Sequence, residues 1–219
     1  GNSSIDTSFD EVTIDTTDPV LSITSAPIAT SANATAYAVS GTCESADGNV
    51  TVGIVGAIPA TRIVGCTTGT WTASFDVSGI ADGDDVLQTD ASQTDPAGNP
   101  GTASQLSDKD TTLPLIAITD DGSGGDEFVN EQEDNAVVVS GTSNVINGQI
   151  VTVTFSDGVN VDIVVNATVS GGTWTAAAAN ISGLFSGVIT VSADVDDTVG
   201  NPALTAVDTF TLDANLPVL

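Results

Sequence analysis

The chain has 219 residues and carries 29 acidic side chains against two basic ones, for a formal charge of −27, with no histidine. That balance repels nucleic acid and anionic lipid, because phosphate binding needs clustered Lys and Arg, and the lack of histidine removes the usual general base and the commonest zinc ligand. Hydrophobic residues make up 40% but aromatic ones only 4%, a Val- and Thr-rich mixture that suits many short strands and suits long helices poorly.

No run approaches the roughly 18 apolar residues of a membrane span, and no signal-peptide pattern opens the chain. With no methionine, the sequence is expected to be an excerpt of a longer one. In residues 1–18, Phe9, Val12 and Ile14 lead into Asp15-Thr16-Thr17-Asp18-Pro19. This reads as the last strand of a preceding unit, or as a strand that completes a neighbouring molecule.

A first unit is expected over 19–112. Val39-Ser40-Gly41-Thr42 is followed by an Asp47-Gly48 turn and by Val50, Val52 and Ile54 in strand alternation. Cys43 follows the Ser-Gly-Thr turn, and Cys66 closes the strand pair that Val50 begins. A rise and a return put both at one end of the unit, which predicts a Cys43–Cys66 disulfide and an oxidising compartment. Trp71, Ala73, Phe75 and Val77 share one face, so Trp71 is expected to plug a core rather than to stack on a ligand. Asp95 opens an Asp-x-x-Gly-Asn turn ending at Asn99, and Asp108 and Asp110 flank Lys109 in the linker that follows.

A second unit is expected over 113–216, because the same landmarks return in order at offsets of about 95 to 103. The Asp-Thr-Thr linker returns at Asp110 and again, altered, at Asp213. Ser140-Gly141-Thr142, Thr173-Trp174-Thr175 and Gly200-Asn201-Pro202 repeat the others. A short first strand, Leu115–Thr119, leads to an acidic loop holding Asp120, Asp121, Asp126 and Glu127 and expected at the C-terminal end of the unit. Glu131, Glu133 and Asp134 come next. Val151, Val153 and Phe155 alternate, Ala176–Ala179 reads as a tapering strand, and Ile189, Val191, Ala193 and Val195 share a face, as do Phe210 and Leu212. Residues 217–219 read as the start of another unit. The architecture expected is all-β: two tandem immunoglobulin-like β-sandwiches of about seven antiparallel strands each.

The order Asp-Thr-Thr-x-Pro, Ser-Gly-Thr, Gly-Thr-Trp-Thr and Asp-x-x-Gly-Asn resembles the bacterial Ig-like repeats of large secreted adhesins and biofilm-associated surface proteins. The resemblance covers nearly the whole chain. It implies a structural repeat at the cell surface, with calcium held near the linkers by the linker aspartates (Asp15, Asp110, Asp213) and the turn aspartates (Asp95, Asp197). Strand direction supports that placement independently. The last hairpin turn of a sandwich lies at its N-terminal end, so Asp95 and Asn99 should face Asp15 and Asp18, and Asp197 should face Asp108 and Asp110. Asp120, Asp121 and Asp126 form a second candidate cation loop, against the plain alternative of a solvated loop.

No enzyme is expected: hydroxyls abound, but no histidine or plausible lysine base accompanies them, since Lys109 lies in a linker, and no paired carboxylates sit in an evident cleft. The leading function is a spacer in an extracellular adhesin stalk, stiffened by calcium at its junctions and partnered by neighbouring repeats of the same chain. One alternative is a segment of an extracellular filament joined to copies of itself. Another is a carbohydrate-binding accessory module, for which Tyr37, Phe128 and Phe185 are the candidate exposed aromatics. Neither nucleic acid nor membrane insertion is expected. Asn-x-Ser/Thr sequons at Asn2, Asn33, Asn49, Asn166 and Asn180 leave glycosylation open.

Overall fold

A computed structural model describes residues 14–214. It is all-β apart from two three-residue 3-10 turns, Ala34–Ala36 and Ser45–Asp47. Two compact units divide the chain. The first takes Gly1–Ala29 and Asn33–Lys109, the second Thr30–Ala32 and Asp110–Leu219. The strand expected to begin in residues 1–18 falls mostly, and the next unit expected at 217–219 wholly, outside the described residues.

In the first unit β1 (Ser22–Ser25), β2 (Tyr37–Thr42) and β5 (Thr70–Phe75) form one sheet, in the order β1-β2-β5. Strands β3 (Asn49–Ile54), β4 (Thr61–Gly65), β6 (Gly83–Thr94) and β7 (Pro100–Lys109) form the other, in the order β4-β3-β6-β7. All the ladders within these sheets are antiparallel. Alternation decides what lies between the sheets, since side chains two residues apart share a face. Val50, Val52 and Ile54 on β3 meet Trp71, Ala73 and Phe75 on β5, and all are buried.

The repeated Ser-Gly-Thr has a steric cause. A Cβ on Gly41 would lie 1.8 Å from the Ser22 carbonyl oxygen and 2.6 Å from the Trp71 ring. Only glycine lets β1 and the indole close on β2 from two sides. The indole Nε1 then donates to Ser22 O at 3.2 Å and Thr42 O at 3.1 Å, so the buried ring leaves no polar atom unpaired. Gly141 and Trp174 repeat the device: a Cβ would meet Ala117 O at 2.0 Å and the ring at 2.5 Å, and Trp174 Nε1 donates to Thr142 O.

The second unit pairs β13 (Thr173–Thr175), β10 (Ser140–Ser143) and β8 (Ile116–Asp120) in one sheet. Its other sheet runs β12 (Ile163–Thr168), β11 (Ile150–Ser156), β14 (Gly187–Asp194), β15 (Ala206–Asp213), β9 (Phe128–Asn130). Val151, Val153, Phe155, Ile189, Val191, Phe210 and Leu212 fill its core. Ala176–Ala179 is extended beyond β13, with a single bridge from Ala179 to Val137. The arrangement of both units fits an immunoglobulin-like sandwich.

Two expectations change. Tyr37 is not an exposed platform. It is fully buried on β2, and its hydroxyl lies 2.7 Å from both Pro27 O and Ser107 Oγ. The acidic loop of the second unit is more than an end loop. It is the crossover by which the first strand leaves β10 (as β8) and joins β15 in parallel (as β9). With Thr119 and Asp208 it lines a depression of about 440 Å³ on the flank.

Candidate functional site

Each unit has one end where the last hairpin turn meets the Asp-Thr-Thr segment. In the first unit, Asp95 Oδ1 accepts N–H bonds from Gly98 (2.7 Å) and Asn99 (2.8 Å), and Asp95 Oδ2 accepts from Asn99 Nδ2 (2.8 Å). The same Asn99 amide also donates to Asp15 O at 3.2 Å. In the second unit Asp197 Oδ1 takes N–H bonds from Val199 and Asn201, both at 2.9 Å, and Asp197 Oδ2 takes Asn201 Nδ2 at 2.9 Å. Asn201 Nδ2 then donates to Asp110 O at 3.0 Å. The Asp-x-x-Gly-Asn turn is thus a two-sided clip: the aspartate shapes the turn, and the asparagine side-chain N–H donates to a linker carbonyl. Asn201 is fully buried, and its Oδ1 also accepts Ser31 N at 2.7 Å. Asp15 and Asp110 each accept the N–H two residues on, from Thr17 and Thr112, at 3.0 Å.

The electrostatics follow from these bonds. The Asn99 amide, against the opposing effect of burial, holds the Asp95 carboxyl below its ordinary range. At Asp197 burial is the largest single influence and pushes upward, but the bonds from Asn201, Val199 and Gly200 together leave it lowered. Asp47 goes the other way, pushed up by burial and then by the negative charges of Glu44, Asp95 and Asp15. Glu44 precedes the 3-10 turn Ser45–Asp47 and Asp47 ends it, and Glu44 Oε1 accepts Val20 N at 3.0 Å. Sequence reasoning missed these two residues. They stand beside Cys43 rather than beside any linker motif, and only the fold brings them to the turn.

The second unit is less charged at the same end. Leu115 N there bonds Asn144 Oδ1 at 2.7 Å, where Val20 N bonds Glu44. Asn147 stands where Asp47 does, with its Oδ1 accepting Gly171 N. A depression of about 230 Å³ lies between Asp110, Asn144 and Asp197.

The remaining candidates are placed as follows. Asp18 is exposed. Asp108 sits near the C-terminal end of β7, where its Oδ1 accepts Asp85 N at 2.8 Å. Asp213 ends β15 opposite Asn130 of β9. In the crossover loop, Asp120 bonds Gly122 N, Asp121 bonds Ser123 N and Oγ, and Asp126 bonds Phe128 N. Each carboxylate there folds its own turn. Among the described residues no group of three or more Asp, Glu, His or Cys side chains converges as a formed metal cage. Cys43 and Cys66 form the expected disulfide, with Cα atoms 5.9 Å apart. Both tryptophans are core residues, 2% exposed.

The chain is all-β, and its fold and turn ends fit an immunoglobulin-like β-sandwich module whose acidic end turn is clipped to its linker. Solved structures of bacterial large-adhesin repeats align with the chain. One is a Ca2+-stabilized adhesin that helps an Antarctic bacterium reach out and bind ice. It is 24% identical, with 91% of this chain and 50% of that one covered and a TM-score of 0.52. The fibronectin(III)-like modules of CbhA from Clostridium thermocellum align at 10% identity over 89% of this chain and 94% of that one, with a TM-score of 0.50. A tetra-tandem repeat in the extending region of a large adhesion protein is 24% identical over 90% and 49%, at a TM-score of 0.41. The chain spans about half the length of the adhesin structures it matches. At these identities the likeness to the Ca2+-stabilized adhesin and the CbhA modules shows the fold alone. No family model matches the sequence, and no curated protein does.

Proposed function

We infer that the chain is a spacer segment of an extracellular bacterial adhesin stalk, made of two tandem sandwiches and stiffened by calcium where the turns meet the linkers. The observation that carries this reading is the recurrence of the clip, Asn99 to Asp15 O and Asn201 to Asp110 O. A bond repeated between an end turn and the entering linker fixes, in each unit, where the chain enters, as a serial array needs. The disulfide supports an oxidising, extracellular setting. The lack of histidine in the sequence and the burial of Tyr37 and both tryptophans, which leaves Phe128 and Phe185 as the exposed candidates, speak against the enzyme and carbohydrate-module readings.

The donor set fits a hard cation in kind. The charges of Glu44, Asp95 and Asp15 add to burial in raising the proton affinity of Asp47, and a calcium ion would relieve that repulsion. Asp110 and Asp197 would hold the ion in the second unit, with Asp18, Asp108 and Asp213 supplying outer charge at the linkers. The crossover loop with Asp120, Asp121 and Asp126 is a weaker candidate, because its carboxylates already serve local backbone.

Small-angle scattering with calcium and with chelator tests the reading. The expected result is a broader size distribution in chelator with the strand signal in circular dichroism retained. Identical curves would sink the calcium-stiffened spacer.

A further inference from the structure

The two units share a local frame that identifies which positions correspond. Cys43 N donates to Gly69 O as Ser143 N donates to Gly172 O. Thr67 bridges Thr70 as Ser170 bridges Thr173. The counterparts of Cys43 and Cys66 are therefore Ser143 and Val169, a pair that no covalent bond can join. In the first unit the pair is a disulfide 23 residues apart in sequence. Cys43 leaves β2, in the three-stranded sheet, and Cys66 leaves β4, the edge of the four-stranded sheet. The bridge thus ties one sheet to the other. The loop it closes holds the whole β3–β4 hairpin, with the core residues Val50, Val52 and Ile54.

We propose that this disulfide makes the two units extensible elements of unequal reach, the first yielding less length under tension than the second until the bridge is reduced. Force travelling along the backbone enters at Cys43 and leaves at Cys66 without loading residues 44–65. At about 3.5 Å per extended residue, the hidden length is about 7 nm, and the bridge itself replaces it with the 5.9 Å between the two Cα atoms. The shielded hairpin also stays tethered beside the rest of its core, so the first unit refolds from a smaller ensemble.

Cys43 is buried and Cys66 half-buried, so a reducing thiolate reaches Cys66 Sγ. It forms a mixed disulfide there and expels Cys43 as a thiolate, which is then protonated. A dithiol such as dithiothreitol completes the exchange by closing into its own cyclic disulfide, leaving two protein thiols. The biological sense of the device rests on the spacer reading above, but the length difference does not.

The test is single-molecule force spectroscopy on the 219-residue chain held between two handles. Two unfolding steps are expected. The shorter should grow by about 7 nm in dithiothreitol and in the Cys43→Ser/Cys66→Ser variant, while the longer one stays unchanged. If the double variant does not fold, reduction of the native chain under tension supplies the same reading. A short step that does not lengthen on reduction overturns the proposal, as do two steps whose lengths differ only by residue count before any reductant is added. Failure of the spacer reading in scattering would leave these step lengths untouched, so the two failures are separable.

Discussion

Gly41 and Gly141 are the residues on which each sandwich closes most tightly. A methyl group at either would overlap a strand carbonyl and an indole that have nowhere to retreat. Gly41→Ala is expected to cost the first unit about 3 kcal/mol, at the severe end for overpacking, and to leave the second unit's transition in place; denaturant melts resolve the two. The aspartates set the acid response. Asp157 accepts N–H bonds from Phe185, Val159 and Asn160 and from the Asn160 amide. Together these bonds hold its carboxyl, like those of Asp95 and Asp197, below the ordinary value. A carboxyl lowered on folding gives stability that is complete above its unfolded value and lost as pH falls through the folded one. Melting temperature should therefore hold steady well above about pH 4 and drop below it, and Asp157→Asn should blunt the drop in the second unit alone. Asp47, raised on folding, works in the opposite sense, being most favourable when protonated. An acid melt of the first unit that starts later than that of the second would show its repulsion to be the larger effect.

Strand by strand, the two units differ where polar chemistry replaces apolar packing. Gly83 pairs with Lys109 at the end of the β6–β7 ladder as Gly187 pairs with Leu212 at the end of β14–β15. Lys109 thus occupies a core position that the second unit gives to leucine. It is 3% exposed, and its Nζ bonds Asp82 at 2.6 Å. A buried ion pair gains little over a well-packed apolar side chain, whereas half of one is costly. Lys109→Met is expected to change the first unit's stability by less than about 1 kcal/mol, and Asp82→Ala to lower it by about 2 kcal/mol, because a buried ammonium then loses a charged partner. Chemical denaturation of both variants checks the pair. Equal losses would mean that the contact itself, rather than the desolvation of the remaining charge, carries the energy. The disulfide is the other such difference. Closing a loop of 23 residues stabilises by roughly 3 kcal/mol in the chain-entropy view, an aid the second unit does without.

For the whole molecule the governing quantity is a charge of −27. Like charges held in a folded chain repel, and any divalent cation that binds only the folded form stabilises it by mass action. Calcium is expected to raise the melting temperature of the first unit more than that of the second, since Glu44 and Asp47 stand where the second has Asn144 and Asn147. Asp47→Asn should shrink that difference. Calorimetry across a calcium series checks both, and a first unit indifferent to calcium would remove it from the turn end.

Much of this could be read from the residues alone. Val50 to Ile54, Trp71 to Val77 and Ile189 to Val195 display their buried faces directly, because a strand's period of two is written one residue at a time. The repeated Ser-Gly-Thr and Gly-Thr-Trp-Thr marked two copies, since a glycine that must admit an indole cannot drift. The cysteine pair was legible for a related reason: a rise and a return leave few places for its ends. What the sequence could not contain was the meeting of distant segments. Glu44 and Asp47 joining Asp95, Lys109 replacing a core leucine, Tyr37 turning inward, and an acidic run serving as a crossover all depend on which strands become neighbours. That is decided by the packing of two sheets against each other, a long-range outcome to which no single stretch of chain holds the key.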